Sequence, residues 1–151
     1  MTRVDFYHLQ KQTLEDVLPK LLNKAYETGK NILVKVGTSE RVEFLNSHLW
    51  TFNDESFLPH GSKKDGFAEA QPIWLTAQSD NPNAAVFLFL VDGAEIEPSQ
   101  AEKFERIFNI FDGTAEQALQ QARNLWKTYK ESGFDVKYWQ QDERGVWQLK
   151  A

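Results

Sequence analysis

The chain contains no cysteine and only three histidines. Without thiols it can build neither a disulfide framework nor a thiolate metal site, and three scattered imidazoles leave little material for a zinc centre. The expectation is a protein without metal or other cofactor. No apolar run approaches the ~20 residues needed to span a membrane. The opening Met1-Thr2-Arg3-Val4-Asp5-Phe6 lacks the charged-then-apolar layout of a secretory signal. A cytoplasmic protein without membrane attachment is therefore expected. Basic residues are in the minority: 17 Lys and Arg against 22 Asp and Glu give a formal charge of −5. Such a molecule as a whole repels a phosphate backbone, so no direct nucleic-acid contact is expected unless a local basic patch exists. Phosphate-binding motifs are missing too. Neither G-x-x-x-x-G-K-S/T nor G-x-G-x-x-G occurs; Gly29-Lys30 precedes a strand pattern, and Gly37-Thr38-Ser39 is a single turn.

What is present is enough apolar material, 41% of 151 residues, for one core in one domain spanning 1–151. β-branched and aromatic segments alternate with longer amphipathic ones, as they do when helices cover a largely parallel sheet. The reading is an α/β fold: a single domain with a mostly parallel central sheet, helices on both faces and a C-terminal β-hairpin. Val4 to Leu9 opens as a strand. Thr13 followed by Asp16 offers a helix start for the stretch through Thr28, with Leu14, Val17, Leu18, Leu21, Leu22 and Ala25 on one face. Pro19 inside that stretch removes a backbone donor, so the helix either begins later than Thr13 or is kinked. Gly29 closes it. Asn31 to Val36 reads as a strand and Gly37-Thr38-Ser39 leads into a second helix to about Leu49.

A long connection, Trp50 to Gln71, follows, and such connections are often functional. Ile73 to Leu75 and Ala85 to Val91 read as strands, the latter unbroken enough to lie at the sheet centre. A short helix around Gln100 to Phe104 and a strand around Ile107 to Phe111 come next. The last helix runs from Ala115 to Glu131 and is stopped by Ser132-Gly133. Val136 to Gln140 and Val146 to Leu149 flank Asp142-Glu143-Arg144-Gly145, the pattern of a hairpin with a four-residue loop.

Catalytic signatures are sparse. No Ser or acidic partner stands in a recognisable spacing beside His8, His48 or His60, and there is no G-x-S-x-G elbow. The plain reading of each histidine is a hydrogen-bonded side chain at the surface or core edge. Asp54 with Glu55, and Glu95 with Glu97, are carboxylates close in sequence, but they sit in turn-rich polar segments where solvated charge is the default.

Two features suit binding. Leu49-Trp50-Thr51-Phe52 and Ser56-Phe57-Leu58-Pro59-His60 place large rings in a segment otherwise built for exposure, either as interface anchors or folded back to finish the core. On the last helix, at about 100° per residue, Ala115, Ala118, Leu119, Ala122, Leu125, Trp126 and Tyr129 share an apolar arc. Arg123, Lys127 and Lys130 line up beside it. That stripe is either an ordinary solvated face or a site for an acidic peptide with an apolar anchor.

Several segments together resemble the chi subunit family of the bacterial DNA polymerase III holoenzyme: Phe6-Tyr7-His8-Leu9, Gly29-Lys30-Asn31-Ile32-Leu33-Val34, Leu49-Trp50-Thr51-Phe52, Ser56-Phe57-Leu58-Pro59-His60, Gln71-Pro72-Ile73, and Ala122-Arg123 through Gly133. The resemblance implies a non-catalytic clamp-loader subunit on a Rossmann-like fold. It would pair with the psi subunit and bind the acidic C-terminal tail of single-stranded-DNA-binding protein, with a repair helicase as a further candidate partner. Carried over by position, the psi-facing residues are Trp50, Phe57 and Pro59, with His60 in the same motif. The tail-binding residues are Arg123, Trp126 and Lys127, with Lys130 continuing the stripe. Two departures stand out: Leu119 occupies a position that is basic in the family pattern, and Trp126 stands in place of a Tyr. The segment from Gln140 to Ala151 extends past the shorter family versions. The competing readings from the residues are a nucleotide-binding enzyme on the same kind of sheet, with Gly37 to Ser39 near the phosphates, and a direct single-strand binder using the basic stripe with Trp126 for stacking, against which the overall acidity argues.

Overall fold

A computed structural model describes residues 2–51 and 58–151. Within them β1 (Arg3–Leu9), β2 (Ile32–Val36), β3 (Gly61–Ser62), β4 (Ile73–Thr76), β5 (Phe87–Val91), β6 (Arg106–Asp112), β7 (Asp135–Gln141) and β8 (Trp147–Leu149) form one sheet. Its order is β3-β4-β2-β5-β6-β1-β7-β8. All neighbours pair in parallel except β7 and β8, which form the antiparallel terminal hairpin. β5 lies between β2 and β6, which accounts for its near-continuous apolar sequence: both faces are covered.

The helices divide between the two faces. α1 (Leu14–Tyr26) and α2 (Ser39–Thr51) pack with Tyr7, Val34, Phe89, Phe108 and Ile110 in one core layer. The short α3 (Pro98–Ala101) and the long α4 (Glu116–Glu131) cover the other, with Val4, Phe6, Leu33, Leu88 and Ile107 beneath them. Period-two alternation sends Val4, Phe6 and His8 of β1 toward α4, and Asp5, Tyr7 and Leu9 toward α1. The α/β architecture read from the sequence is the one found. β3 and a one-turn 3-10 helix at Ala68–Ala70 inside the long connection were not legible beforehand. Two residues and three residues carry no periodicity.

The conflict at Pro19 resolves without moving the helix start. Thr13 caps α1 with a reciprocal box: its side chain accepts from the Asp16 backbone, and the Asp16 carboxylate accepts from the Thr13 backbone. Pro19 therefore lies within α1, and its missing N–H leaves the Glu15 carbonyl without its helical donor. His48 Nε2, on α2, sits 2.7 Å from that carbonyl and donates to it. The Glu15 side chain ties the same helices again. Its carboxylate accepts from Arg41 at 2.7 Å, and Arg41 also reaches Asp92 at 2.8 Å in the turn after β5.

Gly37 has a packing explanation. A Cβ there would lie 2.1 Å from the Asp92 carbonyl oxygen, so the turn after β2 must carry glycine to approach the turn after β5.

Candidate protein-binding surfaces

α4 lies with Ala122 and Tyr129 buried against the sheet and Leu119, Leu125 and Trp126 half-buried on either side. The Tyr129 hydroxyl donates to the Ile96 carbonyl at 3.0 Å, and burial pushes its phenol up to about 12. Arg123, Lys127 and Lys130 are all exposed, and their spacing of four and three residues puts them along one flank. Trp126 forms the edge of that flank. Its ring packs on Phe6 and on Tyr138, both with centroids at 5.8 Å, and Lys130 Nζ lies 5.5 Å from its own centroid. The structure thus brings Arg123, Trp126, Lys127 and Lys130 onto one surface. Leu119, in contrast, joins the core layer under α4.

Two residues that sequence reasoning missed lie beneath and beside this surface. His8 of β1 points to the α4 face, where its Nδ1 is 2.5 Å from the Tyr138 hydroxyl of β7. Gly113 makes room for it, since a Cβ at Gly113 would lie 1.9 Å from His8 Nε2. Burial lowers the His8 pKa, the Arg123 guanidinium lowers it further, and Asp112 opposes both. The same Arg123 works against the rise that burial imposes on the Tyr138 phenol. Alternation places His8 on the same face as Phe6, so half of the signal was in the sequence. Its partner lies 130 residues away and was not.

The second candidate surface surrounds the C-terminal end of α2. Trp50 is 48% exposed, and its ring stands 4.1 Å from that of His60. His60 itself is buried: Nε2 lies 3.0 Å from the Asn46 carbonyl of α2 and Nδ1 lies 2.6 Å from the Leu58 carbonyl. It therefore fastens the returning segment to α2 and supports Trp50 from below. Pro59 is half-buried. Phe57, Asp54 and Glu55 lie outside the described residues. Phe44 and Phe67 are also exposed, at 51% and 82%, and Phe67 adopts a left-handed conformation at φ 57°. A ring left in water at a strained backbone position marks a place where packing within the chain is not the explanation.

The catalytic candidates stay apart. All three histidines are hydrogen-bonded to backbone or to Tyr138, and both Glu95 and Glu97 are exposed. In a sheet of this kind a nucleotide would sit at the carboxyl ends of β1 and β6, whose helices leave toward opposite faces. A cavity of about 790 Å3 does open there. Its charged lining is Glu15, Asp92 and Asp112 against Lys11 and Arg41, with Arg41 already held by two of the three carboxylates. Such a lining repels a phosphate.

A family profile described as DNA polymerase III chi subunit, HolC, matches residues 1–137. The chain belongs to this family. A "Probable DNA polymerase III subunit chi" from Rickettsia prowazekii (strain Madrid E) is 28% identical over 109 residues, 72% of this chain and 66% of that protein. The DNA polymerase III subunit chi of Pseudomonas aeruginosa PAO1 is 24% identical over 140 residues, covering 90% of this chain and 94% of the relative. Among solved structures, the crystal structure of T4 UvsW overlays on 92% of this chain and 40% of its own, with a TM-score of 0.58 and 10% identity; that likeness concerns the fold alone. The chain is thus a chi-type accessory subunit of a replicative polymerase. The end of β7 and all of β8 lie beyond the matched residues.

Proposed function

We propose that the protein is a non-catalytic adaptor of the polymerase clamp loader, holding the psi subunit at one surface and the acidic C-terminal tail of single-stranded-DNA-binding protein at another. The observation that carries this reading is the α4 flank, where three exposed cations surround a half-buried tryptophan on a protein of net charge −5. A peptide ending in acidic residues and a phenyl ring would place its carboxylates on Arg123 and Lys127 and its ring beside Trp126, with Lys130 at the margin. Affinity would be modest and weakened by salt, because the ion pairs form at exposed side chains. The psi subunit would cover Trp50, Phe57 and Pro59, with His60 holding Trp50 in place.

The deciding experiment is fluorescence anisotropy with a labelled peptide ending in Asp-Ile-Pro-Phe. Saturable binding that weakens with salt, needs the final Phe and is lost in Arg123→Ala supports the tail site. Unchanged affinity in a folded Arg123→Ala protein removes it. For the other surface, Trp50→Ala should weaken capture of psi while leaving the peptide titration unchanged.

A further inference from the structure

The sheet face opposite α4 carries a second cluster of cations and rings. Over β6, β1 and β7 a cavity of about 340 Å3 opens between the C-terminal half of α1 and the terminal hairpin. Phe108, Tyr7 and Trp139 stand side by side on the three neighbouring strands, their ring planes within 15° and 9° of parallel. Trp147 of β8 closes edge-on over Tyr7, centroids 5.0 Å apart.

Beneath the rings, Asp5 is fully buried. Its Oδ1 accepts from Arg3 at 2.9 Å and from the Trp139 indole at 2.8 Å, and its Oδ2 accepts from Arg106 at 2.9 Å. One carboxylate thus anchors two guanidiniums, and their side chains remain 39% and 33% exposed. Arg106 also lies over the Phe108 ring, 4.5 Å from its centroid. Lys24 of α1 lines the same opening and is exposed. Two guanidiniums on one carboxylate that they already satisfy, with Lys24 lining the same opening, form the local basic patch that an acidic protein needs before it can hold a polyanion.

We propose that this pocket binds single-stranded DNA, with one unstacked base held against the half-buried rings of Trp139 and Trp147, which the buried Tyr7 and Phe108 back from beneath, and the adjoining phosphates on Arg3, Arg106 and Lys24. Flat rings accept any base because every base has a π-face, and cations beside them track the backbone. Cations spread over α1, β1 and β6 suit the repeated charge of a phosphate chain better than the single terminal carboxylate of a peptide. Trp139 and Trp147 lie past residue 137, where the family match ends.

The test is anisotropy of a fluorescein-labelled oligothymidylate about 15 nucleotides long, titrated with the full-length protein at low salt. Saturable binding is expected, with the logarithm of affinity falling against that of salt at a slope of about −2 for three phosphate contacts. Trp147→Ala, on the edge strand, should weaken it about tenfold or more. Lys24→Glu, on an exposed helix position that leaves the core untouched, should do the same, while Arg123→Ala leaves it unchanged. No binding at low salt, or binding that survives both pocket variants, overturns the proposal. Binding lost in Arg123→Ala instead places the strand on α4. An acidic aromatic peptide that binds in place of the oligonucleotide, and is released by Lys24→Glu, makes the pocket a peptide site.

Discussion

The pairing of Pro19 with His48 makes a prediction that can be isolated from everything else those residues do. His48→Ala leaves the Glu15 carbonyl, which Pro19 cannot serve, without its donor at 2.7 Å. An orphaned, partly buried carbonyl costs about 1–2 kcal/mol, which in a domain of this size lowers Tm by about 2–8 °C. Pro19→Ala restores a backbone N–H that can serve the Glu15 carbonyl within α1. Its own effect combines relief of the helix-interior proline penalty, about 3 kcal/mol, with loss of a buried ring. The double-mutant cycle removes that complication. In the Pro19→Ala background His48→Ala should cost about 1 kcal/mol less than in the wild type. Other contacts of His48 are common to both backgrounds and cancel. Urea unfolding followed by tryptophan fluorescence reads all four proteins, provided their m-values agree. If His48→Ala costs the same in both backgrounds to within about 0.5 kcal/mol, the histidine is not substituting for the proline's missing donor.

Asp5→Ala should destabilise by about 3 kcal/mol, toward the low end for a broken buried pair because both arginine heads can rehydrate; equilibrium unfolding with unchanged stability would mean that the guanidiniums carry no strain from losing it. Gly113→Ala should cost about 1–3 kcal/mol by driving a methyl into the His8 imidazole, and should weaken peptide binding by displacing the His8–Tyr138 pair beside Arg123. His8, held below its ordinary 6.5 by burial and by Arg123, takes up a proton more readily in the unfolded chain. Its contribution to stability is complete above pH 6.5 and is lost as pH falls below that value, so His8→Gln should flatten the acid side of the stability profile. A bound acidic peptide favours the imidazolium, so anisotropy titrations should show tighter binding below pH 6.5 in the wild type and a smaller change in His8→Gln.

Much of this protein was legible in the sequence because its elements are long and their periods distinct. The capping box at Thr13 and Asp16, the apolar face of α1, the unbroken β5 and the Gly145 hairpin each state a local physical preference that the fold had no reason to override. The positions of Arg123, Lys127 and Lys130 on one exposed flank follow from helical spacing alone.

Tertiary structure decided the remainder, and for one reason: in a parallel sheet the neighbours of a strand are remote in sequence. β1 lies between β6 and β7, so His8 meets Tyr138, and Asp5 meets both Arg106 and the Trp139 indole. No local pattern announces such pairs. Gly37 is a similar case, since a lone glycine turn before a helix reads first as an ordinary strand-to-helix turn and only secondarily as a phosphate loop. The Asp92 carbonyl 2.1 Å from where its Cβ would stand supplied the packing reason. Pro19 could be judged only when the partner of the Glu15 carbonyl came from another helix. Composition and periodicity determined which segments fold and which faces they bury; the order of strands determined which side chains could act together.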